Sequence, residues 1–304
     1  MCIIRFVKIN YIFIKYFNFC TINYRLKRYF CSLKNYTIVI DVPHSVKLAQ
    51  DFMVYKLSSK STAGHGIHSP LVYSFAREVL HKRERNKYID EIEWYRDWQL
   101  QSPLIIKKSR HGAGSKLPGD EMPIGRLIRS SSVSPKLGGF LYRLAKWLKA
   151  KNILELGTSV GISTMYLSGA QPNARIVSLE GDSQRALLAK HSFDYMGCSN
   201  IEVIEGDFDI TLPSGLDRLP KLDMVFFDGN HSAEPTLRYF KQCLSRIHNQ
   251  TAFVFDDIRW SNEMFRAWQV IAQHSKVSVS IDLFNIGVVL FRKDIPKQHF
   301  VINF

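Results

Sequence analysis

The five cysteines of this 304-residue chain, at positions 2, 20, 31, 198 and 243, form no Cys-x-x-Cys pair and no metal-binding spacing. That argues against a disulfide framework and for a reducing compartment, so a cytoplasmic location is expected. Residues 1–45 contain no Gly and no Ala. They also lack an apolar run of the roughly 18 residues that a membrane-spanning helix needs. Arg5, Lys8 and Lys15 interrupt every candidate, so no integral membrane segment is expected. Without a compact apolar stretch and an Ala-x-Ala-like site, the segment makes a poor secretory signal. What it does hold is Ile, Phe, Tyr, Lys and Asn, the residues that AT-rich codons encode. The leading reading is a poorly structured leader over 1–45, from a start codon assigned too far upstream, with Met53 as the expected first residue. A membrane-surface or targeting segment is the alternative, because aromatics beside Lys and Arg suit an interface.

A net charge of +14 invites a nucleic-acid reading until it is divided along the chain. Residues 1–50 carry 8 basic and 1 acidic side chains, and residues 51–150 carry 18 and 9. Residues 151–304 carry 15 and 17, so the C-terminal half is nearly neutral. A solvated basic face explains the N-terminal excess better than a nucleic-acid partner.

Helical signals fill the first half. In "SPLVYSFAREVLHKR", Ser69 is the expected N-cap and Pro70 the first helical residue. Leu71, Phe75 and Val79 share one face. "NKYIDEIEWYRDWQL" reads as a second amphipathic helix, and residues 101–133 read as loop. In "SPKLGGFLYRLAKWLKAK", Leu137, Leu141, Leu144 and Leu148 form one buried stripe. Residues 46–133 are therefore read as a helical N-terminal extension or lid. His65, His68 and His111 lie in its turns and are candidates for the acceptor pocket.

From 151 onward strands and helices alternate. Strands are expected at 152–156, 175–180, 201–205, 222–228, 251–256, 277–283 and 286–292. Helices are expected at 161–170, 183–196, 232–247 and 261–274. This alternation predicts an α/β fold with a seven-stranded, mostly parallel sheet. The last two strands, separated only by Asn285, form an antiparallel C-terminal hairpin. No internal repeat or low-complexity tract occurs in this half.

The stretch "NILELGTSVGISTMYLSGAQPNARIVSLEGD" carries the chemistry. In an open parallel sheet, ligands bind beyond the carboxyl ends of the strands. Gly157 lets the chain turn sharply beside a ligand. Gly161 opens a helix whose N-terminus favours an anion. Glu180 closes the next strand, where a carboxylate can accept both hydroxyls of a ribose. The spacing departs from the G-x-G-x-x-G of a dinucleotide site. Glu155, just before the turn, would repel a pyrophosphate but suits an amino group. S-adenosyl-L-methionine carries both an ammonium and a sulfonium, and it is the expected cofactor.

Taken in order, "LELGTSVGISTMYLS", "SLEGD", "EGDF", "DMVFFDGNH" and "FVFDDIRWS" resemble the class I S-adenosylmethionine-dependent methyltransferases. Within them the chain is similar to the catechol- and caffeoyl-CoA-type O-methyltransferases and their bacterial, Bacteroidetes-type relatives. The resemblance covers roughly residues 134–292 and implies a Rossmann-like cofactor domain over 134–304. It implies that Glu155, Gly157, Thr158 and Gly161 line the methionine end of the cofactor, with Ser163 near its carboxylate. Glu180 would take the ribose, and Gly206 and Asp207 would lie by the adenine. Asp228 would face both cofactor and acceptor. Ser163 serves equally well as an N-cap, and Asp207 as a turn former.

In metal-dependent members an Asp ending the fourth strand joins an Asp-Asn pair ending the fifth. Here the corresponding residues are Asp228, Asp256 and Asp257, whose oxygens suit Mg²⁺ or another divalent cation. The alternative has Asp257 capping the helix near Ser261. Where many relatives have a Lys after the fourth-strand Asp, this chain has His231, a natural general base for a hydroxyl or else a helix cap. Trp260 stands where the family has an aromatic near the acceptor, though core packing explains it as well.

The function implied is O-methylation of a small-molecule acceptor. Methylation of RNA or protein, and a non-catalytic interaction protein, are the alternatives. The Asn-Pro-Pro-Tyr-type motif of amino methyltransferases is absent after the fourth strand. Relatives often form dimers, which leaves a homodimer open.

Overall fold

The central sheet is assembled from short, strongly apolar runs, each the right length to cross a domain once. The computed structural model describes residues 44–82, 86–107 and 121–304. Four strands are laid side by side in parallel: β3 (Asn152–Leu156), β4 (Arg175–Glu180), β5 (Ile201–Glu205) and β6 (Leu222–Phe227). β7 (Ile247–Phe255) continues the parallel set beside β6. β8 (Val279–Asp282) and β9 (Gly287–Leu290) form the expected antiparallel hairpin, which docks through β9 onto β7.

An eighth strand corrects the expected count of seven. β10 (Gln298–Val301) pairs in parallel with β8, giving the order β10-β8-β9-β7-β6-β3-β4-β5. Gln298 and His299 gave it no apolar run. It forms because β8 offers a free edge whose N–H and C=O groups need partners. A separate ribbon pairs β1 (Ile105–Lys107) with β2 (Glu121–Pro123) inside the stretch expected to be loop.

Alternation along each strand sends side chains to opposite faces. Ile153, Met224, Phe226, Ala252 and Val254 join the core on one side. Leu154, Val225, Phe227, Phe253 and Phe255 join the core on the other. The first face is covered by α2 (Pro70–Phe75, running straight into a π-helical turn at Ala76–His81), α3 (Lys87–Leu100), α4 (Ile124–Ser131) and α5 (Pro135–Leu148). α6 (Ile162–Ala170) and α7 (Ser183–Met196) complete that layer. The second face is covered by α8 (Phe208–Arg218), α9 (Ala233–Cys243) and α10 (Asn262–Gln273). The result is a three-layer α/β/α fold with two cores.

Local chemistry sets the element ends. Pro70 and Pro135 both begin helices, and the Ser134 hydroxyl accepts from the Leu137 N–H at 3.2 Å. Asp223 stitches the sheet's amino-terminal side by accepting from the N–H groups of Lys151 and Asn152, both at 2.8 Å. The first helix, α1 (His44–Ser58), is tied to the far end of the chain. The Tyr55 hydroxyl donates to the Ile302 carbonyl at 2.5 Å and accepts from the Phe304 N–H at 2.9 Å. Residues 44–304 form one compact unit. Among the described residues no helix is long and apolar enough to cross a membrane. The leader expected over 1–45 lies almost wholly outside the described residues, as does His111.

Candidate active site

A cleft of about 1560 Å³ opens at the carboxyl ends of β3, β4, β5, β6 and β7. Gly157, Glu180, Gly206, Asp207, Asp228, His231, Asp256 and Asp257 all line it, along with Trp260. Residues scattered over a hundred positions thus meet because parallel strands deliver their ends to one edge of the sheet.

The turn after β3 is built around backbone constraints. Gly157 sits at φ 105, and a Cβ there would collide with the Asp228 carbonyl oxygen. Gly161 caps α6 at φ 86, where a Cβ would run into the Phe193 ring. Ser159, between them, adopts φ 49 and aims its N–H at the Glu180 Oε2, 2.7 Å away. The other carboxylate oxygen, Oε1, accepts from the Asp182 N–H at 2.9 Å. Two backbone donors therefore fix Glu180 at the cleft wall and leave it lone pairs for a ligand. Burial still pushes its pKa up, an effect that those two bonds oppose.

Glu155, Thr158, Gly161 and Ser163 are not among the residues lining the cleft. They support it from beneath. Glu155 is fully buried; its Oε2 accepts from Thr164 Oγ1 at 2.5 Å and Ser178 Oγ at 2.6 Å. Its Oε1 has no partner. Burial raises its pKa to about 7, against the pull of those hydroxyls. Thr158 and Ser178 share a hydrogen bond of 2.5 Å, and Ser163 is buried in the first turn of α6. Gly161, not Ser163, occupies the N-cap. Asp207 does two things at once: it lines the cleft and caps α8, accepting from the Asp209 N–H at 2.8 Å.

The carboxylates after β6 and β7 sort into a pair and a single. Burial, then the charge of Asp256, lifts the Asp228 pKa well above the carboxylate range. The two side chains hydrogen-bond, and burial takes Asp256 to about 7. Asp257 turns away at φ 51, and its Oδ2 lies 3.9 Å from His231 Nε2. Burial raises its pKa and the His231 charge opposes the rise. The three carboxylates expected to hold a cation all line the cleft. Among the described residues no three His, Cys, Asp or Glu side chains gather in a way that could hold a metal.

Neither helix-cap alternative is realised. Ser232 precedes α9 as its N-cap, and Ser261 caps α10 by accepting from the Met264 N–H at 3.1 Å. His231 and Asp257 are thus left to face the cleft. Trp260 is half-exposed, with its ring centroid 5.6 Å from that of His231, so core packing does not explain it. His65 and His68 are exposed and lie outside this cleft.

Sequence reasoning missed one end of the cleft. Phe52 and Tyr55 from α1, Phe284 from the β8–β9 turn and the C-terminal Phe304 form an aromatic wall, with Lys136 beside it. The Phe52–Phe284 centroids are 5.0 Å apart and the Tyr55–Phe284 centroids 5.2 Å. No motif joins these positions. Phe52 and Tyr55 fall within the stretch read as a helical extension or lid, where no spacing singled them out.

Comparison with known proteins places the chain in a family. The family described as "Methyltransferase domain" matches residues 154–258. A catechol O-methyltransferase of Niastella koreensis is 36% identical over 42% of this chain and 58% of its own length. The chain thus spans less than two thirds of that relative. A catechol O-methyltransferase of Mycobacterium tuberculosis is 30% identical over 47% of this chain and 68% of its own length. Among solved structures, the SAH-bound Podospora anserina methyltransferase PaMTH1 covers 73% of this chain and 94% of its own, with a TM-score of 0.52 and 15% identity. The cofactor-bound Rv0187 of MTB covers 74% and 98%, with a TM-score of 0.51 and 22% identity. The chain belongs to the class I S-adenosylmethionine-dependent O-methyltransferases.

Proposed function

We propose that this protein methylates a hydroxyl group of a small aromatic acceptor, using S-adenosylmethionine. The observation that carries the proposal is Glu180, fixed at the cleft wall by the N–H groups of Ser159 and Asp182 with acceptor capacity to spare. The two catechol O-methyltransferase relatives support an aromatic hydroxyl as the acceptor class.

The residues present fit the cofactor. Glu180 would hold the ribose hydroxyls, and Gly157, packed at φ 105 against the Asp228 carbonyl, lets the chain turn at the cleft edge. Gly206 and Asp207 would face the adenine. Glu155, buried beneath the turn, supports this end of the cleft through Thr164 and Ser178. When bound, S-adenosylmethionine supplies an electrophilic methyl group on a sulfonium.

His231 accepts the proton of the acceptor hydroxyl. Asp257, 3.9 Å from its Nε2, stabilises the imidazolium that results. Trp260 stacks the acceptor ring beside His231. Positioning dominates the remaining barrier, because the reaction is an in-line displacement. The wall supplied by Phe52, Tyr55 and Met122 gives the segment before residue 134 its role in closing the acceptor end.

Calorimetric titration of S-adenosylmethionine into the full chain tests the proposal. We expect binding in the wild type and a loss of roughly 10–100-fold in Glu180→Gln, the worth of hydrogen bonds to a charged group. Failure of the folded wild type to bind would overturn it. His231→Ala should then lower kcat by about 10²–10⁴-fold, the range for a general base, with the cofactor Kd unchanged.

A further inference from the structure

Helix α1 has two apolar sides, and the fold uses one of them. The inner side carries Tyr55, tied to the C-terminal residues, and Phe52, which lines the cleft. With 3.6 residues to a turn, Val46, Ala49, Met53 and Leu57 fall in a row on the opposite side. All four are exposed, Met53 at 59% and Leu57 at 84%, and the exposed Val54 stands beside them. A contiguous apolar row on a surface helix marks a contact with something outside the fold. The charges around the row say what that is. By the same spacing Lys47 and Lys56 flank it, one on either side, and Lys60 follows the helix. Their ammonium groups are held by neutral acceptors. Lys47 Nζ donates to Asn262 Oδ1 at 2.6 Å, Lys56 Nζ to Asn303 Oδ1 at 2.5 Å, and Lys60 Nζ to the Gly66 carbonyl. None of the three has a carboxylate partner among the described residues. Asp51, the one acidic residue of α1, falls on the inner side.

A second copy of α1 laid against this row would set lysine against lysine, so charge disfavours it. An anionic lipid surface is complementary: the row enters the acyl boundary while the lysines stay at the headgroups. The chain leading into α1 has the same character. Residues 1–43 carry 7 basic side chains, 1 acidic side chain and ten Phe and Tyr. We propose that α1 docks this protein on an anionic lipid bilayer, with Val46, Met53 and Leu57 against the acyl chains and Lys47 and Lys56 at the headgroups. The helix lies along the surface and does not cross it. Its 15 residues span roughly 22 Å, short of the ~30 Å hydrocarbon core. Because Phe52 and Tyr55 of the same helix line the cleft, the cleft opens next to the bilayer. The inference stands on the surface of α1 and does not depend on the methyltransferase reading.

Co-sedimentation of the full chain with vesicles tests it, using phosphatidylcholine alone or mixed with phosphatidylglycerol. The wild type should bind the mixed vesicles about tenfold or more tightly than the neutral ones, and added salt should weaken that binding by screening the lysines. The double substitution Met53→Ser, Leu57→Ser removes two apolar side chains and changes no charge. It should lower vesicle affinity by about tenfold or more. Leu187→Ser, made at an exposed leucine on α7, should bind as the wild type does. Urea midpoints equal to the wild type's confirm that the variants fold, as expected for side chains that stand in water. Unchanged binding by the folded double variant takes the docking off α1 and overturns the inference. Equal affinity for neutral and anionic vesicles overturns it as well, and this wild-type comparison decides even where the double variant is unstable. No binding by the wild type to either vesicle also overturns it. Light scattering then identifies the cover, since a dimer that the double variant breaks assigns the row to a second copy.

Discussion

Glu155 is a buried acid with one oxygen satisfied twice and the other not at all. Its folded pKa, about 7, lies above the ordinary 4.5. Between those values the folded protein holds a proton that the unfolded chain has released. Stability therefore falls as pH rises through that window, by about 3 kcal/mol in total for this group. Glu155→Gln keeps the shape and has no proton to lose. We expect urea unfolding of the apoprotein at about pH 5 and about pH 8 to show a flatter pH dependence in the variant, with its advantage at the higher pH. An unchanged slope would mean that Glu155 stays ionised in the fold. At Gly157 the constraint is steric. Gly157→Ala forces a side chain to φ 105 against the Asp228 carbonyl, and should destabilise by about 1–3 kcal/mol. Asp228 is displaced by the same collision, so cofactor affinity should fall along with the unfolding midpoint.

The elements that position the site were legible where one local pattern specified them. β3, β4 and β5 match their expected spans residue for residue, because each is a short apolar run with a break at either end. α8 was not foreseen. Pro213 and Gly215 interrupt its helical pattern, yet Asp207 caps the helix and Leu212 and Leu216 bury its inner face. Gly215 is what lets that face approach Val177 and Leu179 of β4. Glu180, Asp228 and the Asp256-Asp257 pair were legible because each follows a strand. The aromatic wall was not, because Tyr55 and Ile302 meet across 247 positions and no spacing rule reaches that far. That contact offers its own test. Tyr55→Phe removes a donor for Ile302 and an acceptor for the Phe304 N–H. We expect a cost of about 1–3 kcal/mol and a raised acceptor KM, with the cofactor Kd unchanged. An unaltered KM would detach the C-terminal residues from the acceptor end.

At the scale of the molecule, the cleft gathers the ends of five strands whose two faces belong to separate cores. A ligand seated there touches loops from both layers, so it binds the assembled fold and not the unfolded chain. Linkage then turns affinity into stability: a ligand at a hundred times its Kd contributes about 2.7 kcal/mol. For a folded unit of this size each kcal/mol is worth about 2–4 °C, so S-adenosylmethionine should raise Tm by about 5–10 °C. Glu180→Gln, whose affinity is expected to drop roughly 10–100-fold, should keep about half of that shift or less at the same ligand concentration. The comparison uses unfolding alone and needs no acceptor. A full-sized shift in the variant would show that the cofactor is held without Glu180, and the ribose would have to be sought elsewhere in the cleft. Loss of the shift in the variant, with its unliganded Tm intact, would tie the cofactor to the one carboxylate that the two loop N–H groups hold in place.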